Sequence, residues 1–275
     1  MPSTYEPINV NTDTTNTKTI LHEVLPLTGT LASGTYDSPD GTSFNIKNYT
    51  HGMFQSVYDY PYLSSSANHI YDITFGYDEN STMSGSTSVQ NSKKINIYNQ
   101  FSQVLLGYTG SANEVKLFES DLILDTAGQM KEVFIIPFSR LITKDQIKKG
   151  TFSIELGTGS WALPFSSTGG SRLLLQDVSA SDNGNTSPTI GGEYGVLFDN
   201  TAKTGTGLGV VFYQAGLCVV TASVFDANCA DFIGQEVEPT GDKNINEALT
   251  GSSISASCNA LRHRLYNISF NNSTE

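Results

Sequence analysis

Positive charge, cysteine and histidine are all scarce in this chain, and each shortage removes a class of function. Lys and Arg together number 15 against 27 Asp and Glu, which leaves a formal net charge of −12 over 275 residues. A surface of that sign repels phosphate backbones instead of releasing their counterions, so nucleic acid is not an expected partner. The imbalance is steepest over residues 1–90, where nine acidic residues face only Lys18 and Lys47. Its plain reading is a solvated acidic surface that keeps the protein soluble. The three cysteines, Cys218, Cys229 and Cys258, are odd in number and lack the two-residue spacing of zinc and thiol–disulfide motifs, so buried free thiols are expected. The four histidines, His22, His51, His69 and His263, are scattered, and nothing in the text pairs one with a nucleophile. No Gly-x-Ser-x-Gly elbow is present, and that strained turn is what exposes a catalytic serine in hydrolases of that type. No pair of carboxylates is singled out for glycoside hydrolysis either. No catalytic residue, cofactor or metal is therefore assigned.

The opening Met-Pro-Ser-Thr-Tyr-Glu-Pro has no basic stretch followed by an apolar core, so a secretory signal is not expected. The uncharged stretch from Gly207 to Phe225 is long enough to span a bilayer. Its β-branched residues, with Gln214, Gly216, Thr221 and Ser223 among them, suit two strands folded about Gln214-Ala215-Gly216 better than a lipid-facing helix. No membrane insertion is expected.

What is abundant is Ser, Thr, Asn, Gly and aromatic residues, arranged in short apolar runs. Residues 1–19 are polar and aperiodic and read as an extended N-terminal arm, with residues 20–275 as a single β-rich domain. Strands are predicted at Ile70–Tyr77, Val133–Phe138, Thr151–Leu156, Arg172–Asp177, Gly195–Asp199, Leu208–Tyr213, Leu217–Ala222 and Leu265–Phe270. A helix is predicted from a cap at Asn91 or Ser92 through Ile95, Tyr98, Phe101 and Leu105 to a stop at Gly107. A shorter helix is predicted from the apparent capping box Thr143-Lys-Asp-Gln146, closed by Gly150. A further helical pair is predicted over 244–264, with Asp242 as a cap; the same Asp242 run opens like a calcium loop but has Glu247 where that loop needs glycine. Gly205-Thr-Gly207-Leu-Gly209 reads as a turn rather than a dinucleotide fingerprint. Together these give an α+β, β-rich fold, an antiparallel sheet or sandwich with one or two packed helices.

The most aromatic stretch is His51–Tyr77. Within it Tyr58, Tyr60 and Tyr62 alternate, which puts them on one face if the backbone is extended, although Pro61 argues for an edge or irregular piece. Tyr58, Tyr60, Pro61 and Tyr62 are the candidate interface, because tyrosine buries a large apolar area while keeping a polar handle. Ordinary core packing is the competing role for the same rings.

The strings Gly52-Met-Phe-Gln-Ser-Val-Tyr-Asp-Tyr-Pro-Tyr-Leu-Ser-Ser-Ser-Ala-Asn68, Ile97-Tyr-Asn-Gln100, Phe138-Ser-Arg-Leu-Ile-Thr-Lys-Asp-Gln-Ile-Lys-Lys-Gly150, Gly195-Val-Leu-Phe, Val211-Phe-Tyr-Gln-Ala-Gly-Leu217 and Arg262-His-Arg-Leu-Tyr-Asn-Ile-Ser-Phe-Asn-Asn272 carry a resemblance. They resemble virion structural proteins of T-even-like, contractile-tailed phages, especially those of marine cyanobacteria. The resemblance implies a non-enzymatic tail or baseplate component, located in the virion, whose partners are other tail and baseplate proteins and copies of itself. It supplies no catalytic residues. Further sequence is expected after this end in such chains, which would leave the last strand-like segment without an obvious partner. Three other readings stay open: a receptor-recognition module that holds glycans against aromatic rings, a tail-borne hydrolase, and a head decoration protein.

Overall fold

A computed structural model describes residues 24–28, 45–109, 114–118, 130–166, 172–177, 189–199, 207–225, 229, 231–235 and 241–274. The expected arm at 1–19 lies outside them, as do the start of the first apolar cluster and the first two residues of the glycine turn at 205–209.

Runs of β-branched and aromatic residues become strands, and ladders between them are antiparallel throughout. Strands β2 (Ile46–Asn48), β3 (Gln55–Tyr58), β4 (His69–Tyr77), β5 (Glu132–Pro137), β11 (Leu217–Thr221), β10 (Gly209–Phe212) and β9 (Tyr194–Leu197) form, in that order, a seven-stranded sheet. A second, five-stranded sheet runs β1 (Val24–Thr28), β12 (Leu265–Ser273), β7 (Ser153–Gly157), β8 (Arg172–Gln176), with β6 (Gln146–Ile147) pairing the far end of β12. Every residue of β10 and β11 is buried, and they form the hairpin around Gln214–Gly216 that their composition predicts. No helix among the described residues is long and apolar enough to cross a membrane. The fold is α+β and β-rich, as the sequence implies.

Four expectations are corrected, the fourth of them at the start of the long helix. The last strand does not lack a partner: β12 lies between β1 and β7, with Val24 opposite Asn271 and Ile268 opposite Ile154. The helix predicted from the Thr143–Gln146 box to Gly150 is not there. Thr143 instead ends the short helix α2 (Arg140–Thr143), capped by Ser139, and Lys144 turns the chain at φ 55°. Gln146 and Ile147 then pair with Ser273 and Asn272, so a long-range ladder overrides a local capping signal. At the third site the cap is Asn244, not Asp242. Asn244 accepts from Glu247 N at 2.9 Å and donates from its own N to Glu247 Oε2 at 3.1 Å, opening α3 (Ile245–Gly251). Asp242 accepts from Gln235 N instead. The expected helical pair is completed by α4 (Ile254–His263).

The long helix α1 (Asn91–Leu105) lies across β4 because Gly76 leaves room for it. A Cβ at Gly76 would stand 2.7 Å from Lys94 O and 2.8 Å from Tyr98 N. Its start is Gln90, left-handed at φ 56° and without a capping side chain, rather than Asn91 or Ser92. The Gln90 side chain is spent elsewhere, accepting from Ile254 N at the first turn of α4 at 2.9 Å. Lys94, with no exposed surface, donates to Leu249 O and Ser252 O at the C-terminal end of α3, where the helix dipole favours a cation. One face of α1 thereby joins three helices to the sheet.

The two sheets meet around charged groups that are almost wholly buried. Arg264 is 0% exposed, and its guanidinium donates to Gly157 O (3.1 Å), Gly159 O (2.7 Å), Asp231 O (2.7 Å) and Phe232 O (3.4 Å). Asp177 is 1% exposed and accepts from Gly150 N at 2.8 Å and from the Tyr213 hydroxyl at 3.1 Å. Next to it Gln176 bridges Phe198 across from β8 to the end of β9. Gly195 is required here, since a Cβ would fall 1.9 Å from the Tyr213 hydroxyl oxygen. On the Asp177 side, where Asp177 N donates to Phe152 O at 3.3 Å, the ring of Phe152 lies 5.9 Å from Phe138, which in turn lies 5.1 Å from Phe270.

Two predictions follow from the buried charges. Arg264→Met strands four carbonyls and should cost about 3–5 kcal/mol in urea unfolding. Arg264→Lys should not restore it, because one ammonium cannot reach carbonyls fanned over three segments. For Asp177, burial pushes the carboxyl up from 3.8 to about 6 against the pull of its hydrogen bonds. Between those values the folded chain holds a proton that the unfolded chain has lost, so this contribution is full below about pH 4 and is lost as pH rises through about 6. Asp177→Asn keeps an acceptor but no charge, so relative to the parent chain it should gain about 2–3 kcal/mol between pH 4 and pH 7, read from unfolding curves at both.

Candidate functional site

The aromatic stretch of the sequence folds into a hairpin edge, β2–β3–β4, and the loop between β2 and β3 brings its rings over the sheet. Gly52 makes the turn at φ 64°, with its N donating to Tyr49 O at 2.9 Å. Tyr49, His51 and Phe54 then form one group. Tyr49 and His51 stack at 5.2 Å and 8°, and Phe54 leans on both at 4.6 and 5.0 Å. Lys47 places its ammonium 5.0 Å from the centre of the Tyr49 ring.

Below these rings the register of β3 on β4 sets Ser56 opposite Asp72. Ser56 Oγ donates to Asp72 Oδ1 at 2.5 Å, and the same oxygen is 2.8 Å from His69 Nε2. Tyr49 OH and Ser56 Oγ lie 3.1 Å apart and complete the chain. Serine, histidine and aspartate are the residue types of a hydrolase triad, but the connectivity is wrong for one. The serine bonds the carboxylate, not the imidazole that would have to take its proton, and Ser56 is only 2% exposed. The arrangement can hold a carboxylate in place; it cannot activate Ser56.

The sequence-predicted residues fall at the end of this network. Tyr58 closes β3, half-buried, its ring 5.5 Å from His69 and 6.2 Å from Tyr62. Burial, with the neighbouring Tyr49 and Asp72, pushes its phenol pKa up, so the hydroxyl keeps its proton. The backbone beyond Tyr58 is not extended. Asp59 and Asn68 clamp a loop through Asp59 N to Asn68 O (3.0 Å) and Asn68 N to Asp59 Oδ1 (2.7 Å), and Ser64 N turns back to Pro61 O at 2.8 Å. Alternation therefore does not set a common face: the irregular piece that Pro61 argues for is what forms, and its turn brings Tyr62 back to Tyr58. Pro61 is buried, and Tyr60 is 47% exposed.

Between this network and α1 lies a cleft of about 330 Å3. Its walls are His51, Met53 and Phe54 from the loop, Ile97, Gln100 and Phe101 from α1, and Pro137 from the end of β5, over a floor of Asp72 and Thr74. Thr74 Oγ1 donates to Met53 O at 2.6 Å and ties the loop to the floor. Sequence reading finds the aromatic density but not Ser56, Asp72, Thr74 or the α1 wall. Nothing in the text marks them, because only the β3–β4 register and the seat of α1 on Gly76 bring them together.

Other chemistry finds little to work with. The cysteines are all free and buried, as expected, and burial pushes the Cys229 and Cys258 thiols up to about 11 and 12, far from thiolate formation at neutral pH. Among the described residues no group of three or more His, Cys, Asp or Glu side chains is placed to hold a metal ion. No family model, no curated protein and no solved structure matches the chain.

Thr74→Val keeps the shape of the floor and removes one buried donor. It should cost about 1 kcal/mol in unfolding and speed amide exchange at residues 51–54, because Met53 O loses its tie.

Proposed function

We propose that the chain is a non-enzymatic structural protein of a contractile-tailed phage virion, assembling into tail or baseplate through contacts with neighbouring proteins and copies of itself. The resemblance of the sequence strings suggests it, and one structural observation carries it furthest. Most large apolar side chains of the described residues are buried, and of those that stand in solvent, Leu63, Leu141 and Leu163 among them, three lie together at the C-terminal end of α1. Val104 is 67% exposed, Tyr108 48% and Ile190 74%. They are not on free-swinging backbone. Gly191 N donates to Leu105 O at 2.8 Å, and Ile190 Cδ1 stands where a Cβ on Gly107 would be. What sets these three apart from the scattered exposed leucines is that they are grouped on fixed backbone, and a grouped apolar patch is the mark of a surface that another protein covers.

A density map of the intact particle tests the reading. Val104, Tyr108 and Ile190 should be covered by another chain, and their standing in open solvent would sink it. Val104→Glu and Ile190→Glu should each leave the isolated chain within about 0.5 kcal/mol of its parent, as surface changes do, while removing it from assembled particles. Particles that take up both variants at parental levels would have the same meaning as exposed density. Position on the particle also separates a tail component from a head decoration protein.

A further inference from the structure

The cleft beside α1 is lined mainly by apolar groups, and its few polar atoms are oriented before any guest arrives. The His51 ring is fixed three ways. It stacks flat on Tyr49, its Nδ1 accepts from Met53 N at 3.0 Å, and its own carbonyl accepts from Lys93 Nζ at 2.6 Å. With Nδ1 accepting, the neutral ring carries its proton on Nε2. Asp72 is held from the sheet side, and both of its bonds, from Ser56 and His69, fall on Oδ1. Thr74 has given its hydroxyl hydrogen to Met53 O. What the cleft offers a guest is therefore one carboxylate oxygen, one imidazole N–H and the Gln100 amide on the rim, set among apolar side chains.

We propose that this cleft is a socket for a single hydroxyl-bearing aromatic side chain, a tyrosine, of a neighbouring protein; the inference rests on the assembly reading above. The ring meets Phe54 and Phe101, where aromatic pairs gain beyond their buried area. A phenol hydroxyl both donates and accepts, so its chemistry matches a cleft lined by both a carboxylate acceptor, Asp72, and an imidazole donor, His51. A saccharide carries hydroxyls around its whole edge and would leave most of them unpaired against Ile97, Phe101 and Pro137. A lysine or arginine would match Asp72 but leave the His51 donor unmet, and it would enter beside Lys93, itself held on His51 O. Rings filling desolvated pockets are the usual anchors of protein interfaces.

The test is a methyl and amide NMR titration of the full chain with p-cresol, toluene and methyl α-glucoside. Saturable p-cresol shifts are expected at Met53, Thr74 and Ile97, with toluene about fivefold weaker for want of the hydroxyl, and no shifts from the glucoside. Gln100→Trp, at the exposed rim, should abolish the p-cresol shifts and leave the rest of the spectrum in place. Absence of p-cresol shifts, equal binding of toluene, p-cresol shifts that survive Gln100→Trp, or preferential binding of the glucoside each overturn the socket, and the last makes the cleft a glycan site. None of these touches the assembly reading, which stands or falls on the α1 patch in the particle.

Discussion

The architecture depends on one cation that never meets water. Arg264 sits at the step from α4 into β12, and its guanidinium draws in carbonyls from the end of β7, the loop after it and the segment at 231–232. Removing that charge from water costs several kcal/mol, and only a full set of acceptors offsets it. Main-chain carbonyls provide the set, with Phe232 adding its ring 5.5 Å from the guanidinium carbon. The consequence is topological. Two residues upstream, Arg262 bonds Gln55 of β3 through Nε at 3.1 Å, so α4 is fastened to the seven-stranded sheet while the strand that follows enters the other. The pair of arginines thereby fixes where the chain crosses from one sheet to the other.

The cleft inherits its rigidity from side chains bonded to the main chain of other elements. Lys94 ties α1 to the end of α3, Gln90 ties the start of α1 to α4, and Gly76 lets the helix lie against β4. The α1 wall is thus held by contacts outside the cleft, and the opposite wall by Thr74 and Lys93 on the main chain of the loop. Such a site needs no rearrangement to receive a guest, which lowers the entropic cost of binding. The same rigidity holds Ser56 as a donor to Asp72, so its hydroxyl is not presented to the His69 imidazole.

Much of the fold was legible because apolar runs bury whole strands. Glu132–Pro137, Arg172–Gln176, Gly209–Phe212 and Leu217–Thr221 lie within a residue or so of their predicted limits, and the 244–264 helical pair is present. What was not legible depends on distance in the chain. β1 and β12 pair across nearly the whole sequence, and no local pattern at either end announces the other. Lys94 lies in a helix whose other lysine, Lys93, reaches out to a loop carbonyl, and composition gives no reason to bury one and not the other. The Thr143 box failed because it competed with a strand partner that only the tertiary fold supplies. At the site, aromatic density pointed to the right hairpin, but the β3–β4 register sets Ser56 opposite Asp72 beneath the rings, and the shift between Val57 and Tyr58 then brings His69 opposite Tyr58.

The exposed apolar groups can be weighed against the way the rest of the surface is built. On the outer face of the five-stranded sheet the register aligns Thr28, Asn267, Glu155 and Leu174, so that even there polar residues outnumber the single apolar one. Where Tyr266 is exposed, Arg172 lies 4.0 Å over its ring and Phe165 packs at 5.2 Å. That ring is already partnered within the chain, and its exposure calls for no further contact. Val104 and Ile190 carry no polar atom in their side chains, and solvent does nothing to favour them at the end of α1. Burial of each on assembly would gain about 1.5–3 kcal/mol relative to leaving it in water. The physical asymmetry between the two patches is why the proposed assembly contact is put at the end of α1 rather than at the Arg172–Tyr266 corner.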